Sequence, residues 1–478
     1  MSSPRTAGLV GVAAAVSSMA FSWNPSYWGD EAATVLSAQR SLPSLFEMLP
    51  RVDAVHGLYY VFMHFWIRLV GISEFAVRFP SAIAVGIAAA GTVVLAQQLA
   101  SRRVAVIAGI ACIVLPRFTY MGIEARSYAM ATAVAVWLTM LLVVLVRSRS
   151  RNWLYWGGYA LLAAFGSWLF LYLVLLLVAH GAWVLLDRQS RDLRSRWAAA
   201  AGVAVLASLP IALFAVAERN QVAFLSQQPL DFGKLTMLPW FGNPVVAIVA
   251  WALIVLAAVT AVRRRGLDQS RLTLLSVLWL LIPGAILVGM TLALIPIYSV
   301  RYLSFSTPAA ALLIGLGADA LRRRYLRWIA VGLLVASAAL TWVSQRGEYG
   351  KDGGSDWRQV SEFMGTHATA GDGVYFDDTT KPSQRPRLAM HLYPAGFTGL
   401  VDFALDTPFD KGTWLWDSVY PLDHDYAALD SLHTIWVIDM TGGDAEKSGD
   451  QARILKDDGF RLATTTNLHR TTVYEYTR

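Results

Sequence analysis

The chain has a single cysteine, Cys112, among 478 residues, which rules out an internal disulfide framework. Charge is also scarce: Asp, Glu, Lys and Arg make up 15 %, against 56 % hydrophobic residues. That balance excludes intrinsic disorder, because such a chain has more than enough apolar surface to bury. Glycine and proline follow no period, there is no internal repeat, and no Walker sequence is present, which excludes collagen-like, solenoid and P-loop architectures. What remains is a chain of mean hydropathy +0.47, the composition of an integral membrane protein. Cys112 lies in an apolar run and is expected to be inert.

The formal net charge of +7 is the sum of two opposite parts. Residues 1–343 hold 27 Lys and Arg against 12 Asp and Glu, while residues 344–478 hold 13 against 21. The basic excess therefore belongs to membrane topology and implies no nucleic-acid partner.

A span needs roughly 17 to 25 apolar residues. Candidates run over about 7–23, 79–99, 104–116, 127–146, 197–217, 244–262, 272–295, 302–320 and 326–343. Residues 153–186 are too long for one helix, so two short spans turning near 167–171 are expected. Residues 57–71 are short and rich in aromatics, and they carry His64 and Arg68. If they do not cross, the loops at 102–103, 147–151, 188–196, 263–271 and 322–327 share one side with Arg5, and these loops hold 17 of the 27 basic residues. The positive-inside rule then makes 57–71 an interfacial helix, with its Tyr, Trp and His side chains in the headgroup layer.

The expected architecture is an α-helical polytopic membrane protein. About eleven spans with interfacial helices in the first external loop occupy residues 1–343, and an extracytoplasmic α/β domain occupies 344–478. The N-terminus is expected to be cytoplasmic and the first span uncleaved. Loop 24–56, the turn 117–126 and the tail then share the outer face. In the tail, strands are expected at 371–378 and 433–440, helices near 356–367 and 447–459, and a closing strand pair around 460–476.

Acids are rare in the membrane part, so Asp30 and Glu31 in YWGDEA stand out directly after the first span. A carboxylate walled by Tyr27 and Trp28 suits a general base. The alternative is structural, with Asp30 as the N-cap of a helix over 31–40 and the aromatics as a membrane belt. His56 and Arg78 either hold an anionic headgroup or anchor the interface. Glu124, Arg126 and Tyr128 lie at a span mouth, and the first two, two residues apart, cannot pair across a helix face. Arg301 falls on the outer side, where its guanidinium matches a phosphate; snorkelling is the alternative.

Other patterns carry less. Gly315-Leu316-Gly317 reads as helix packing, Gly442-Gly443-Asp444 as a turn, and the acidic run 402–430 as a solvated face. The histidines at 367, 391, 424, 433 and 469 lack metal-ligand spacing.

In order along the chain, WGDEA (28–32), HGLYY (56–60), Glu74 with RFPSA (78–82), EARSYA (124–129) and RYLSFSTPA (301–309) resemble the GT-C glycosyltransferases. The likeness is to the bacterial branch that includes protein O-mannosyltransferases and aminoarabinose transferases, and it covers roughly residues 20–310. The family often has His-Pro-Pro where this chain has His56-Gly57-Leu58, and the oligosaccharyltransferase sequence WWDYG is absent.

The resemblance implies an inverting transferase that takes a sugar, mannose or arabinose, from a polyprenyl-phosphate donor at the outer membrane face. Asp30 would be the base with Glu31 beside it, and Glu124 would position donor or acceptor. His56 and Arg301 would grip the lipid phosphate, with Tyr59, Arg78, Arg126, Tyr128 and Tyr302 completing the binding set. No metal or cofactor is implied; the lipid-linked donor is a co-substrate. The acceptor would be a hydroxyl of a glycan, lipoglycan or protein in the envelope, and the Arg-, Ala- and Trp-rich composition points to the plasma membrane of a high-GC bacterium. The competing reading is a transporter or flippase of a lipid-linked sugar. That needs ionisable groups inside spans, where Asp319 is nearly the only carboxylate.

Overall fold

The computed structural model describes residues 4–263, 268–351, 353–422, 424, 429–441 and 445–478. The expected turn at Gly442-Gly443-Asp444, Asp423 and Asp425 of the acidic run, and Arg264 and Arg265 lie outside the described residues. The chain forms two compact units: residues 1–22, 53–59 and 78–344 make the first, and 23–52, 60–77 and 345–478 the second.

Along the chain the helices of the first part are α1 (Pro4–Met19), α2 (Gly29–Gln39), α3 (Leu42–Met48), α4 (Gly57–Val70), α5 (Glu74–Leu99), α6 (Arg102–Val114), α7 (Pro116–Met121) and α8 (Tyr128–Arg147). They are followed by α9 (Trp153–Leu169), α10 (Val174–Leu186), α11 (Arg194–Ala217), α12 (Phe232–Thr236), α13 (Pro244–Arg263), α14 (Asp268–Ala293), α15 (Thr307–Ala320) and α16 (Arg324–Ser344). Seven helical stretches, those of α5, α8, α11, α13, α14, α15 and α16, are long and apolar enough to cross a membrane. The other four expected spans are helices at the expected places, α1, α6, α9 and α10, of 16, 13, 17 and 13 residues. The long apolar run divides as its length requires: α9 ends at Leu169, Phe170 is extended at φ −156°, and a 3-10 turn over 171–173 leads into α10.

In the first unit α15 is the central element, with residues 307–318 all buried. Its glycines are required by close helix packing. A Cβ on Gly317 would lie 1.9 Å from the Leu253 carbonyl oxygen of α13, and one on Gly315 would lie 2.7 Å from the Val104 carbonyl oxygen of α6. The Gly-Leu-Gly sequence is thus helix packing, where small residues let backbones approach. Asp319, at the end of α15, pairs with Arg103 at 3.1 Å.

The interfacial reading of 57–71 needs one correction. α4 exposes Phe62, Phe65 and Leu69 but buries Tyr59, Tyr60 and His64 completely. His64 Nδ1 sits 3.0 Å from the Ala38 carbonyl oxygen, because an imidazole buried on a packed face requires a partner. The outward face is the Phe and Leu stripe.

After α17 (Trp357–His367) the tail builds a five-stranded sheet in the order β2-β1-β5-β7-β6. Its strands are β1 (Gly373–Phe376), β2 (Val401–Asp402), β5 (Thr434–Met440), β6 (Arg461–Asn467) and β7 (Thr471–Thr477), while β3 (Leu405–Thr407) and β4 (Ser418–Val419) form a separate hairpin. α18 (Leu388–Leu392) and α19 (Ala445–Asp457) complete the domain. β1 pairs in parallel with both β2 and β5, and β7 runs antiparallel to β5 and β6. Continuous burial of β1 explains its unbroken Val-Tyr-Phe run, as for a parallel strand covered on both faces. The expected strands and helices of this domain are all present; β2, β3 and β4, two or three residues each, were too short to read.

The acidic run is the second correction. Asp417 is 1 % exposed and Asp402 14 %, and both are gripped by Arg387. A basic residue outside the run removes them from the solvated face.

Candidate functional site

The sequence-derived residues divide between the units. His56, Tyr59, Arg78, Glu124, Arg126, Tyr128, Arg301 and Tyr302 lie in the first, Asp30 and Glu31 in the second.

In the first unit the segment before α4 turns sharply at Asp53, which adopts φ +60°, and brings His56 onto Arg126. The Arg126 Nη2 donates to His56 Nε2 at 2.9 Å. A guanidinium has only donors, so Nε2 is the acceptor and the imidazole is neutral with its proton on Nδ1. Burial lowers the His56 pKa well below its usual range, and the charges of Arg126 and Arg301 lower it further. His56 therefore orients a cation and adds no charge of its own. Arg126 and Arg301 thus both act on one imidazole.

Arg78 is fully buried, donating to the Ser22 carbonyl oxygen at 2.6 Å. That contact ties α5 to the end of the first span. Glu124 is 1 % exposed. Its backbone carbonyl accepts from Ser81 Oγ at 2.6 Å and from the Arg126 N–H at 2.9 Å, fixing the short turn that aims Arg126. Tyr128 packs edge-on against Phe170 at 5.4 Å, and Tyr302 stacks on Tyr172 at 4.6 Å. The residues Phe170 and Tyr172, in the turn between α9 and α10, join this aromatic group although nothing in their sequence context marked them.

A carboxylate unforeseen from the sequence, Glu218, lies just beyond α11. It accepts from the Ala54 N–H at 3.2 Å. Its pKa is raised to about 7, chiefly by burial, with the Asp53 charge adding and the Ala54 hydrogen bond opposing.

In the second unit, α2 begins at Gly29 with Trp28 at the cap position in extended backbone (φ −133°, ψ 174°) and no side-chain cap. Asp30 is therefore in the first helical turn, not the N-cap, where its charge suits the helix dipole. Tyr27 and Trp28 are 1 % and 6 % exposed, which overturns the membrane-belt alternative. Tyr27 is fixed at both ends: its hydroxyl donates to the Ile72 carbonyl at 2.5 Å, and its N–H donates to the Tyr393 hydroxyl at 2.9 Å. Tyr393 in turn donates to Glu74 Oε1 at 2.6 Å, a carboxylate also bound by Arg358. Gly29 is required by close approach, since a Cβ there would lie 2.3 Å from the Ser383 carbonyl oxygen. This bracing presents Asp30, partly exposed, from a rigid helix start, while Glu31 is fully buried. Among the described residues no group of three His, Cys, Asp or Glu could hold a metal ion.

The fold, a polytopic helical part with a C-terminal α/β domain, is shared with solved structures of low sequence identity. A family model, dolichyl-phosphate-mannose-protein mannosyltransferase, matches residues 58–214. ArnT from Cupriavidus metallidurans in the apo state has a similar fold over 98 % of this chain and 97 % of its own, at TM-score 0.58 and 11 % identity. The same protein bound to undecaprenyl phosphate overlaps with equal coverage at TM-score 0.59 and 11 % identity. The archaeal oligosaccharyltransferase AglB from Archaeoglobus fulgidus, solved with an inhibitory peptide and a dolichol-phosphate, overlaps at TM-score 0.49 and 11 % identity, over 98 % of this chain and 74 % of that one. No curated protein sequence matches the chain.

Proposed function

We propose that the protein is an inverting glycosyltransferase that moves a sugar, mannose in the first instance and arabinose in the second, from a polyprenyl-phosphate carrier to an envelope hydroxyl. The acceptor is a glycan, lipoglycan or protein. The reaction takes place at the outer face of a bacterial plasma membrane, with the N-terminus cytoplasmic and the C-terminal domain outside. The observation that carries this reading is the Arg126–His56–Arg301 group, in a fold shared with a protein that binds undecaprenyl phosphate.

The chemistry follows from the leaving group. Asp30 takes the proton of the acceptor hydroxyl, whose oxygen attacks the anomeric carbon from the side opposite the phosphate. The bond from that carbon to the phosphate oxygen breaks, and negative charge grows on the departing lipid phosphate. Arg126 and Arg301 meet that charge, with His56 holding Arg126 in place. Glu124 fixes the turn that aims the cation, and the tyrosines at 59, 128 and 302 wall the site. The donor is the co-substrate, and two guanidiniums suffice to hold its phosphate without a metal or cofactor. The transporter reading is weakened because Asp319 is already taken up by Arg103.

The test is transfer of labelled mannose, then arabinose, from the polyprenyl-phosphate donors in membranes containing wild type or Asp30→Asn at matched expression. Product with wild type and its loss with Asp30→Asn is the expected result. Undiminished transfer by the variant would remove Asp30 as the base, and no consumption of either donor would reopen the transporter reading.

A further inference from the structure

The C-terminal domain exposes little apolar surface. Among the described residues from 345 onward, the large apolar side chains open to solvent are Val401, Trp414, Tyr420 and Leu462. Both aromatics belong to the β3–β4 hairpin, which stands apart from the main sheet. Trp414 lies in the connection between the two strands and is 64 % exposed, while the next residue, Leu415, is buried. A solitary exposed apolar residue is ordinary on a protein surface; what sets this one apart is how its backbone is held.

Arg40, the residue that follows α2, is fully buried, and its guanidinium donates to the carbonyl oxygens of this connection, to Gly412 at 2.9 Å and to Trp414. It also donates to Ser44 Oγ at 3.1 Å, and Ser44 in turn donates to the Asp410 carbonyl at 2.8 Å. The same guanidinium lies over the Phe409 ring at 5.7 Å. Arg51 donates to Thr413 Oγ1 at 3.0 Å, and the Phe409 N–H donates to Asp417 at 2.7 Å. A buried charge is unfavourable unless it is hydrogen-bonded, and here a buried cation fixes a surface loop. Trp414 is thus displayed from a connection whose conformation is set before any ligand arrives, which lowers the ordering cost of binding.

We propose that Trp414 is a stacking platform for the saccharide chain of the acceptor, so that the acceptor is a glycan and not a protein hydroxyl. The proposal rests on the transferase reading. The rim of the indole favours a sugar: Lys411 and Asp410 lie beside it in sequence with their charged ends in solvent, and the Tyr420 hydroxyl donates to the exposed Asp406. Hydrogen-bonding groups around one aromatic face match a sugar ring, which offers an apolar C–H face and an edge of hydroxyls. A tryptophan that anchors a protein to a lipid surface is accompanied by Lys and Arg, whereas the solvent-facing charges of this hairpin are Asp406, Asp410 and Lys411. A folded protein partner needs a wider apolar core than one indole supplies. The reach agrees: α2 carries Asp30 at its start and meets the clamp at Arg40, about 15 Å further along the helix axis. An oligosaccharide covers that length, and a single Ser or Thr side chain does not.

The experiment measures equilibrium binding of mannotriose and arabinotriose to the full-length protein in a detergent without a sugar headgroup, with the free monosaccharides and a Ser/Thr-rich peptide as comparisons. The trisaccharides then serve as acceptors in membranes. One trisaccharide should bind wild type more tightly than its monosaccharide. Trp414→Ala should weaken it about 10-fold at an unchanged unfolding temperature, and Trp414→Tyr should keep part of the affinity. In transfer, the alanine variant should raise the acceptor KM by the same factor and leave kcat and the donor KM alone, because the contact is made equally in ground and transition states. Absence of trisaccharide binding to wild type, or binding that Trp414→Ala leaves intact, would overturn the proposal. So would a loss of affinity confined to the peptide or to phosphatidylglycerol vesicles, which would assign the indole to a protein or a membrane. The two readings fail separately. Wild-type transfer with an unmoved acceptor KM in Trp414→Ala removes only the platform, whereas Trp414-dependent trisaccharide binding without consumption of either donor removes only the transferase.

Discussion

Replacing Arg387 by methionine should loosen the sheet of the C-terminal domain, and the damage should shrink on acidification. Arg387 donates to Asp402 through both terminal nitrogens and to Asp417 through Nε at 2.6 Å. Asp417 is further held by His391 at 2.6 Å and the Phe409 N–H at 2.7 Å. Breaking a buried ion pair from one side costs about 3–5 kcal/mol, because the remaining carboxylate is left in low dielectric. Burial alone would raise the Asp417 pKa, yet His391 and Arg387 hold it down at about 2, below the ordinary 3.8. That depression is worth about 2 kcal/mol of stability, present above pH 3.8 and lost as pH falls through about 2. Without Arg387 the carboxyls protonate at higher pH and cease to be buried charges, so the deficit relative to wild type narrows between neutrality and about pH 4. Hydrogen exchange of the β1 and β5 amides, variant against wild type at each pH, reads this opening directly. An acceleration of at least about 100-fold is expected at pH 7, smaller at lower pH. A neutral substitution at pH 7, or a deficit that grows on acidification, would refute the charge argument.

Two further outcomes follow from the same geometry. Gly29→Ala should lower the unfolding temperature and abolish transfer, because its Cβ meets the Ser383 carbonyl oxygen at 2.3 Å and backbone cannot rotate away as a side chain can; an unchanged unfolding temperature and rate would show that the two segments separate freely. Glu218 has a folded pKa of about 7 against an ordinary 4.5, so the folded state holds its proton more tightly and loses stability as pH rises across that interval. Glu218→Gln should flatten this dependence and be the more stable form at pH 8, as measured by thermal unfolding in detergent across pH 5 to 8. A wild-type slope in the variant would place the titration elsewhere.

The parts of this molecule legible in its sequence are those governed by local period and by solvent. Apolar runs located the long helices, and short apolar runs beside turn residues marked β1 and β5, with the closing pair β6 and β7 after them. Asp30 was legible for the same reason: an acid at the edge of an apolar run is conspicuous. Its structural setting was not, since the helix starts one residue before it and the cap is Trp28 in extended backbone, a placement fixed by Tyr393 and Ser383 some 350 positions away. Buried charges were misread for a related reason. Asp417 looks solvated among acidic neighbours, and its burial is decided by Arg387, which lies thirty residues earlier. Glu31 looks like a duplicate of Asp30 until Lys351 is beside it. Composition cannot separate a partly exposed carboxylate from a buried, paired one, because the difference lies in what the chain brings back to it. In this protein the returning segments come from the C-terminal domain: Lys351 reaches Glu31, and Tyr393 and Arg358 reach Glu74. That domain thus supplies partners for Glu31 of α2 and for Glu74 of α5. Tyr393→Phe should therefore lower the unfolding temperature, because the Tyr27 N–H and Glu74 lose the hydroxyl they share.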